Sequence, residues 1–371
     1  MRIPEQIAGL SAIERGSATA GERRSAEWVA ARLAEAGADD VQLDEFEYST
    51  SFAHAQGLHY AAGVLAALRG SRLLAASALA SFELDFSGRR QWTRPFLPRG
   101  TGVNATARLP ARGARRRTLV LVAHHDAAHT GLMWDPRLTG PGDRAAARSG
   151  RRASLALLPE LALATVALAG ARARPLRLVA AGVLSLALAL ALDQARSPSV
   201  PGANDNASGV AALLEIVRRL AAERPDGLEL LLVVPGCEES GMGGMAAWLD
   251  GPGARLEREA TLVVGLDTVG SGEPIVLTGE AGLWPVRYDP TDVRLAVEAA
   301  RADGVELRPW RIGGWTDPAL ARLRGLRSVS LLSVRDGGFP NYHLPTDTPD
   351  QVDIESVEAC LRAAERIALS A

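Results

Sequence analysis

Three short apolar runs in this chain each lead directly into a segment that carries acidic residues or histidine. The run 119–123 leads into His-His-Asp, the run 230–235 into Gly-Cys-Glu-Glu, and the run 261–264 into Gly-Leu-Asp-Thr. Continuous apolar runs of this length are typical of strands that are buried on both faces of a parallel sheet. Binding and catalytic sites of such sheets lie in loops beyond the carboxyl ends of the strands. The pattern therefore constrains both the fold and the position of a site within it.

Amphipathic segments separate the apolar runs. Segments 22–35 and 207–222 carry apolar residues at helical spacing, among them Val29, Leu33, Leu213 and Val217. Patterns of this kind predict helices at 4–13, 22–35, 207–222 and 354–369, and strands at 41–48, 102–109, 118–123, 228–235, 261–266 and 328–334. Strands that alternate with helices predict an α/β fold, with a mainly parallel mixed sheet and helices on both faces.

Two Ala- and Leu-rich stretches, 59–82 and 153–192, interrupt this alternation, and each predicts a helical hairpin with a basic turn. Each arm of the second hairpin has about 18 residues, near the ~20 that cross a hydrocarbon core. Arg69, Arg72, Pro159 and Glu160 count against a simple crossing. Three alternatives stay open: a buried helical subdomain, a contact with a second chain in a homo-oligomer, and membrane insertion or association. We interpret the chain as one domain, 1–371, with apolar helical insertions at 54–84 and 145–197.

The composition excludes some classes of protein. A net charge of −2 over 371 residues gives no reason to expect nucleic-acid binding. Cys237 and Cys360 cannot form a disulfide framework, and residues 1–24 contain no apolar core of the signal-peptide type. These features predict a cytoplasmic protein, with membrane association through the apolar hairpins left open.

Acidic residues and histidines recur in the loops after the predicted strands and in two further loops. The residues concerned are His124, Asp126, Asp205, Glu238, Glu239, Asp267 and His343. Without thiolates, zinc prefers imidazole nitrogen and carboxylate oxygen, and a pair of ions needs a bridging carboxylate and about two further ligands each. Because neighbouring side chains diverge, one of the two adjacent glutamates can bind metal while the other serves as general base. Helix capping is the alternative role for Asp205, and we interpret His125 and His129 as bystanders.

Five segments together resemble the motifs of the M28 family of zinc aminopeptidases, the group related to bacterial leucyl aminopeptidases and glutamate carboxypeptidase II. They are AHHD (123–126), GANDNASG (202–209), CEESG (237–241), GLDTVG (265–270) and NYHLPTDT (341–348). The resemblance implies a zinc exopeptidase fold and two zinc ions per chain. One feature departs from the family pattern, because the long segment 131–201, which contains the second apolar hairpin, separates the first motif from the second.

The resemblance also implies a role for each site residue. His124 and Asp267 would complete one zinc site, Glu239 and His343 the other, with Asp205 bridging both ions. Glu238 would act as the catalytic general base, and Asp126 would orient His124. Thr316 and Asp317 resemble a further family position near the substrate region, although this match is weaker.

The activity that this resemblance implies is hydrolysis of peptide bonds by a zinc-dependent exopeptidase. The expected enzyme is an aminopeptidase acting on a peptide or aminoacyl substrate, with a metal-activated water and a Glu general base. Two alternatives remain at this point. One is a one-zinc acyltransferase of the glutaminyl-cyclase kind, and the other is a membrane-associated, non-catalytic peptidase homologue.

Overall fold

The computed structural model describes residues 1–169 and 173–370. Nine strands are formed by these residues, and in chain order they are β1 (Asp39–Ser49), β2 (Arg99–Leu109), β3 (Arg112–Val122), β4 (Asp226–Val234), β5 (Thr261–Leu266), β6 (Glu273–Glu280), β7 (Val286–Arg287), β8 (Arg308–Arg311) and β9 (Arg327–Val334). All nine belong to one sheet of order β1-β2-β4-β3-β5-β9-β6-β7, with β8 beside β6.

The centre of this sheet is parallel and its flanks are mixed. Strands β4, β3, β5 and β9 run parallel to one another. Antiparallel pairs join β1 to β2, β2 to β4, β6 to β9 and β6 to β7. All six residues of β5 are buried, as expected for a continuous apolar run in a covered sheet. The prediction of an α/β fold with a mixed, centrally parallel sheet is confirmed.

The described residues also form twelve α-helices. They are α1 (Ile3–Ser11), α2 (Ala20–Glu35), α3 (Phe52–Arg69), α4 (Arg72–Phe86), α5 (Pro136–Ser149), α6 (Leu157–Ala169), α7 (Arg174–Gln194), α8 (Gly209–Ala222), α9 (Gly243–Asp250), α10 (Pro290–Ala302), α11 (Asp317–Leu323) and α12 (Ile354–Ser370).

Helices cover both faces of the sheet because successive strand residues point in opposite directions. On one face, Leu119 and Leu121 of β3 pack in a cluster with buried residues of α8 and α12. On the other face, Val120 and Val122 of the same strand pack with residues of α9 and α11. The sequence patterns do not predict several of the observed elements. These are the helices α5, α9, α10 and α11 and the strands β6 to β8.

Helices α3, α4, α6 and α7 form a separate apolar layer beside the strand ends, which we call the helical layer. Its core contains Phe82, Leu163, Val166 and Leu184, each fully or almost fully buried. The first predicted hairpin is present as α3 and α4, and the described arms of the second are α6 and α7, of which α6 has 13 described residues rather than about 18. The backbone N–H of Arg152 donates to the carbonyl of Arg311 in β8, so the chain is not yet helical at this residue. Helix α6 therefore begins only at Leu157. The predicted basic turn residue Arg172 lies outside the described residues.

Among the described helices, α7 alone has the length and apolar composition of a membrane-crossing helix, and 22% of its most apolar window is buried. Its partner α6 has 13 described residues, fewer than the ~20 of a crossing helix. Association of this chain with a membrane therefore stays a prediction.

A narrow two-stranded neck connects α5, α6 and α7 to the rest of the chain. His129 and Ser199 form an antiparallel bridge. The N–H of Thr130 donates to the carbonyl of Pro198 at 3.0 Å, and the N–H of Val200 donates to that of Ala128 at 2.9 Å. The segment 131–197 therefore begins and ends at neighbouring positions, and within it residues 150–152 also pair with Arg311 of β8.

Candidate metal centre

The predicted site residues meet at one edge of the sheet. His124 and Asp126 follow β3, Glu238 and Glu239 follow β4, and Asp267 follows β5. These three strands are parallel neighbours, so their carboxyl ends lie side by side. The residues that arrive from elsewhere are Asp205, from the irregular turn before α8, and His343, from the loop after β9.

Asp205 lies between two imidazoles. Its Oδ1 is 3.3 Å from Nε2 of His124, and its Oδ2 is 3.1 Å from Nε2 of His343. Glu239 Oε2 lies 3.2 Å from the same nitrogen of His343. On the other side, Asp267 Oδ2 lies 3.9 Å from Nε2 of His124. Asp205 is thus shared by two groups of donors, each with one histidine and one further carboxylate.

The donor atoms fit zinc. Several are buried without a hydrogen-bond partner within residues 1–169 and 173–370, namely Asp205 Oδ2, Glu238 Oε1, Glu239 Oε1 and both ring nitrogens of His343. Ligand atoms of His124, Asp205 and Glu239 lie within 4.8 Å of one another. Buried carboxylates that face one another without hydrogen bonds are costly unless a cation lies between them, and imidazole with carboxylate is a donor set of zinc.

Asp126 holds the turn that carries both glutamates. Its Oδ1 and Oδ2 accept hydrogen bonds from the backbone N–H groups of Glu238 and Glu239, each at 3.1 Å. The Ser17 hydroxyl donates to Oδ2 at 2.6 Å, and Oδ1 lies 3.4 Å from Nδ1 of His124. Burial acts to raise the pKa of Asp126, but the hydrogen bond and charge of His124 outweigh it and hold the pKa below its usual value. A carboxylate in this position is able to orient His124, and that role stays a prediction.

Glu238 has the environment of a group that exchanges protons. Its side chain is buried, and its Oε2 lies 3.9 Å from Nε2 of His124. Burial, together with the carboxylates of Asp317 and Asp267, raises the pKa of Glu238 well above its ordinary value, against the opposing charge of His124. Raised carboxyl pKa values of this kind are typical of general acid–base residues.

Two buried charges that the sequence reasoning missed hold the Asp205 loop. Asp347 accepts hydrogen bonds from the backbone N–H groups of Asn204, at 2.8 Å, and Asp205, at 3.1 Å. The guanidinium of Arg15 donates to the carbonyls of Pro201 and Gly202. The position of Asp347 within the last motif was a signal for it, whereas nothing in the sequence around Arg15 indicates a contact so far along the chain.

The remaining residues singled out in the sequence have ordinary partners or lie at the edge of the site. His125 binds the hydroxyl of Ser25 and the carbonyl of Val103 through its two ring nitrogens, which supports its interpretation as a bystander. Thr316 donates to Glu280 at 3.1 Å. Asp317 is buried at the start of α11, and its Oδ1 has no hydrogen-bond partner within the described part of the chain. Asp317 is therefore a further acidic group beside Glu238.

A cavity of about 300 Å³ opens above the donor residues. Its floor includes Asp205, Glu238, Glu239, Asp267 and His343. Its walls are mainly apolar and come largely from the helical layer and two tryptophans, among them Phe52, Phe86, Trp134, Leu186, Leu190 and Trp315. The arrangement offers an acidic, metal-binding floor beneath a space for a large apolar group.

Comparison with known proteins agrees with this geometry. Residues 189–368 match the model of peptidase family M28, a range that includes Asp205, Glu238, Glu239, Asp267 and His343 but not His124 or Asp126. No curated protein matches the sequence.

Solved structures with the same fold are found at low identity. A zinc aminopeptidase from Bacillus subtilis has a TM-score of 0.58 at 15% identity, covering 99% of this chain and 93% of its own. A glutaminyl cyclase from Bacteroides thetaiotaomicron has a TM-score of 0.56 at 15% identity, and the match covers 100% of this chain and 97% of the cyclase. A Zn-dependent exopeptidase from Parabacteroides distasonis has a TM-score of 0.56 at 14% identity, and the match covers 99% of this chain and 96% of the exopeptidase. The predicted zinc exopeptidase fold is confirmed.

Proposed function

Because residues 189–368 belong to peptidase family M28 and the chain has a zinc exopeptidase fold, we propose that this protein is a two-zinc aminopeptidase. The observation that carries the proposal is the position of Asp205 between His124 and His343, with a further carboxylate beside each histidine. Two separate donor groups that share one carboxylate are what a pair of ions requires.

His124 and Asp267 would hold one zinc ion, and Glu239 and His343 the other, with Asp205 bridging. Bound zinc would lower the pKa of a water molecule and polarise the scissile carbonyl. All five ligand residues are present, which counts against the alternative of a non-catalytic homologue.

Glu238 would take the proton of the attacking water and deliver it to the leaving amine. Its burial and its raised pKa suit both steps, because a carboxylate with a raised pKa is a stronger base toward water and holds the proton until the leaving amine takes it. Asp126 fixes the backbone on which this carboxylate is mounted. Accurate positioning of this kind accounts for much of the efficiency of general acid–base catalysis.

The floor of the cavity favours a free amine. The site contains five carboxyl groups and only two histidines, His124 and His343. The carboxyl groups belong to Asp205, Glu238, Glu239, Asp267 and Asp317. Two zinc ions would offset four of the five negative charges, and the acid that remains beside them attracts a cationic α-amine. The apolar walls then favour a large apolar side chain on the first residue of the peptide, because burial of apolar area stabilises the complex.

A second candidate function is a one-zinc acyltransferase of the glutaminyl-cyclase kind. It is favoured by the edge-on packing of Trp134 against the ring of His343, with centroids 4.2 Å apart, which makes one side of the metal site aromatic. Such an enzyme would use Asp205, Glu239 and His343 alone. His124 and Asp267 would then have no ligand role, although they lie beside the same carboxylate.

A substrate comparison tests the proposal. Purified protein should release leucine from an unblocked leucyl amide and leave its N-acetylated counterpart intact, and an alanyl amide should be a poorer substrate. A peptide with amino-terminal glutamine separates the two candidate functions, since cyclisation releases ammonia without cleaving a peptide bond. Equal cleavage of blocked and free substrates would contradict the aminopeptidase proposal. Ammonia release alone would favour the acyltransferase.

A further inference from the structure

Four helix ends meet at one end of the helical layer, away from the metal centre. Arg72, at the start of α4, donates through Nε to the carbonyl of Ala167 near the end of α6, at 2.9 Å. Arg177, in the first turn of α7, donates to the carbonyl of Ala67 near the end of α3, at 2.6 Å. The end of α3, the start of α4, the end of α6 and the start of α7 therefore form one surface.

Four leucines at this surface are exposed. The exposed fractions are 61% for Leu68, 79% for Leu73, 77% for Leu168 and 55% for Leu176. With Arg69, Arg72 and Arg174 they form what we call the outer tip. Single exposed leucines are common on soluble proteins, but several gathered at one end of a helical layer mark an interaction surface.

The charged residues in the outer half of the helical layer are all basic. Segments 61–82 and 161–192 contain no aspartate or glutamate, although the chain as a whole has a net charge of −2. The acidic residues of the four helices are confined to the opposite end, at Glu83, Asp85, Glu160 and Asp193. The outer tip therefore combines apolar side chains with positive charge alone.

We propose that the outer tip docks on an anionic lipid surface, with its leucines at the level of the acyl chains and its arginines among the phosphate headgroups. Exposed leucines flanked by arginines suit this interface. Burial of the leucines and attraction of the arginines to anionic lipid both stabilise the bound state. A second copy of the chain is a poorer partner. Two outer tips face to face would bring arginine against arginine, with no acidic residue at hand to compensate.

In this arrangement helix α7 touches the membrane only with its first turn and does not cross it. Its later residues Leu186, Leu190 and Ala191 line the cavity above the metal centre. A crossing helix would carry these residues, and the cavity with them, into the hydrocarbon core. From Leu176 to Leu190 the helix extends ~21 Å, at 1.5 Å per residue. The active site would therefore stay in water, about two-thirds of a membrane thickness above the lipid.

Vesicle sedimentation tests this inference independently of the proposed peptidase activity. Full-length protein should sediment with vesicles of 30% phosphatidylglycerol in phosphatidylcholine and far less with phosphatidylcholine alone. Raising NaCl from 0.1 to 0.5 M should weaken the binding, because screening reduces the attraction to the headgroups.

Two pairs of substitutions separate the apolar and the charged contributions. Leu73→Ser with Leu168→Ser, and separately Arg69→Gln with Arg174→Gln, should each weaken binding about tenfold or more. A matched control, Leu43→Ser with Phe96→Ser, removes exposed apolar side chains outside the outer tip and should bind as the unaltered protein does. Circular dichroism and thermal unfolding check that each variant is folded.

Several results would overturn the inference. They are absence of binding to anionic vesicles, equal binding to neutral vesicles, and unchanged binding in both tip variants. Light scattering that shows a dimer disrupted by the tip substitutions would assign the surface to a second copy of the chain instead.

Discussion

Asp126 Oδ1 accepts a hydrogen bond of 3.1 Å from the backbone N–H of Glu238. The second oxygen of the same carboxylate binds the N–H of Glu239 at the same distance. One side chain from the end of β3 thus aligns the turn after β4 that carries the proposed base and a proposed zinc ligand, and it also approaches His124. Loss of this carboxylate should affect catalysis and metal binding together.

Asp126→Asn should weaken zinc binding and lower kcat, each by about 10- to 100-fold, because an amide places an N–H group against one of the two backbone donors. Zinc titration and steady-state kinetics measure the two effects. The control is Ser17→Ala, which removes only the hydroxyl that donates to Asp126 and should have a smaller effect on both. Equal effects of the two substitutions would show that the paired backbone contacts are unimportant.

The adjacent glutamates should give different phenotypes. Glu238→Gln should keep zinc and lose at least about 10³-fold in kcat, because the amide cannot take a proton from water. Glu239→Gln should lose or weaken one zinc ion, since its carboxylate lies beside His343. Elemental analysis and kinetics on both variants check these outcomes. An exchange of the two phenotypes would show that the assigned roles are reversed.

The unaltered protein should contain about two zinc ions per chain, in line with the two donor groups around Asp205. Removal of zinc with a strong chelator should abolish hydrolysis and lower Tm, because metal that binds only the folded state stabilises it. Elemental analysis counts the ions. One ion per chain would support the acyltransferase, and full activity without metal would contradict both enzyme proposals.

A bulky residue in the cavity wall should change substrate preference. Ala187 lines the cavity, so Ala187→Trp should lower kcat/KM for a leucyl substrate about tenfold more than for an alanyl substrate. Ala189 lies two residues further along α7 and is exposed, and Ala189→Trp serves as the control. If both variants treat the two substrates as the unaltered protein does, the cavity does not receive the side chain.

Glu160 should make stability depend on pH. It is fully buried at the start of α6, neither of its oxygens has a hydrogen-bond partner within residues 1–169 and 173–370, and it faces Glu83 and Tyr60. Burial, with a further contribution from Glu83, raises its pKa from 4.5 to about 8. The folded state therefore keeps a proton that the unfolded chain releases, and stability falls as the pH rises from about 4.5 to about 8.

Substitution of Glu160 by Gln removes this titration. The Tm of Glu160→Gln minus that of the unaltered protein should therefore increase between pH 5 and pH 8. Thermal unfolding of both proteins across this range measures the difference. Glu259, an exposed residue in the turn before β5, provides the control substitution Glu259→Gln. A difference that stays constant with pH would show that Glu160 is ionised in the folded protein throughout.

The central strands and the site residues could be predicted because both follow from local sequence. Apolar runs that end on acidic residues indicate buried parallel strands, and the carboxyl ends of such strands meet, so His124, Glu238 and Asp267 were expected to lie close together. Their assignment to particular zinc ions remains a proposal.

Other elements could not be predicted from local patterns. Helix α5 contains Pro136, Gly140, Pro141 and Gly142, which break the helical periodicity. Strand β8 has only four residues, too few to show an alternation. Arg15 contacts carbonyls almost two hundred positions away, and a contact of that kind leaves no local signal.

The neck at 128–130 and 198–200 has a consequence for the order of folding. Strands β3 and β4 can pair only after the intervening residues 123–225 have closed into a loop, and the entropic cost of closure grows with loop length. When the neck has formed first, the loop that remains to be closed between β3 and β4 is about a third as long. The entropic cost of pairing these two strands is then lower by about 1 kcal/mol. Strands β3 and β4 can then pair before the three helices beyond the neck have packed.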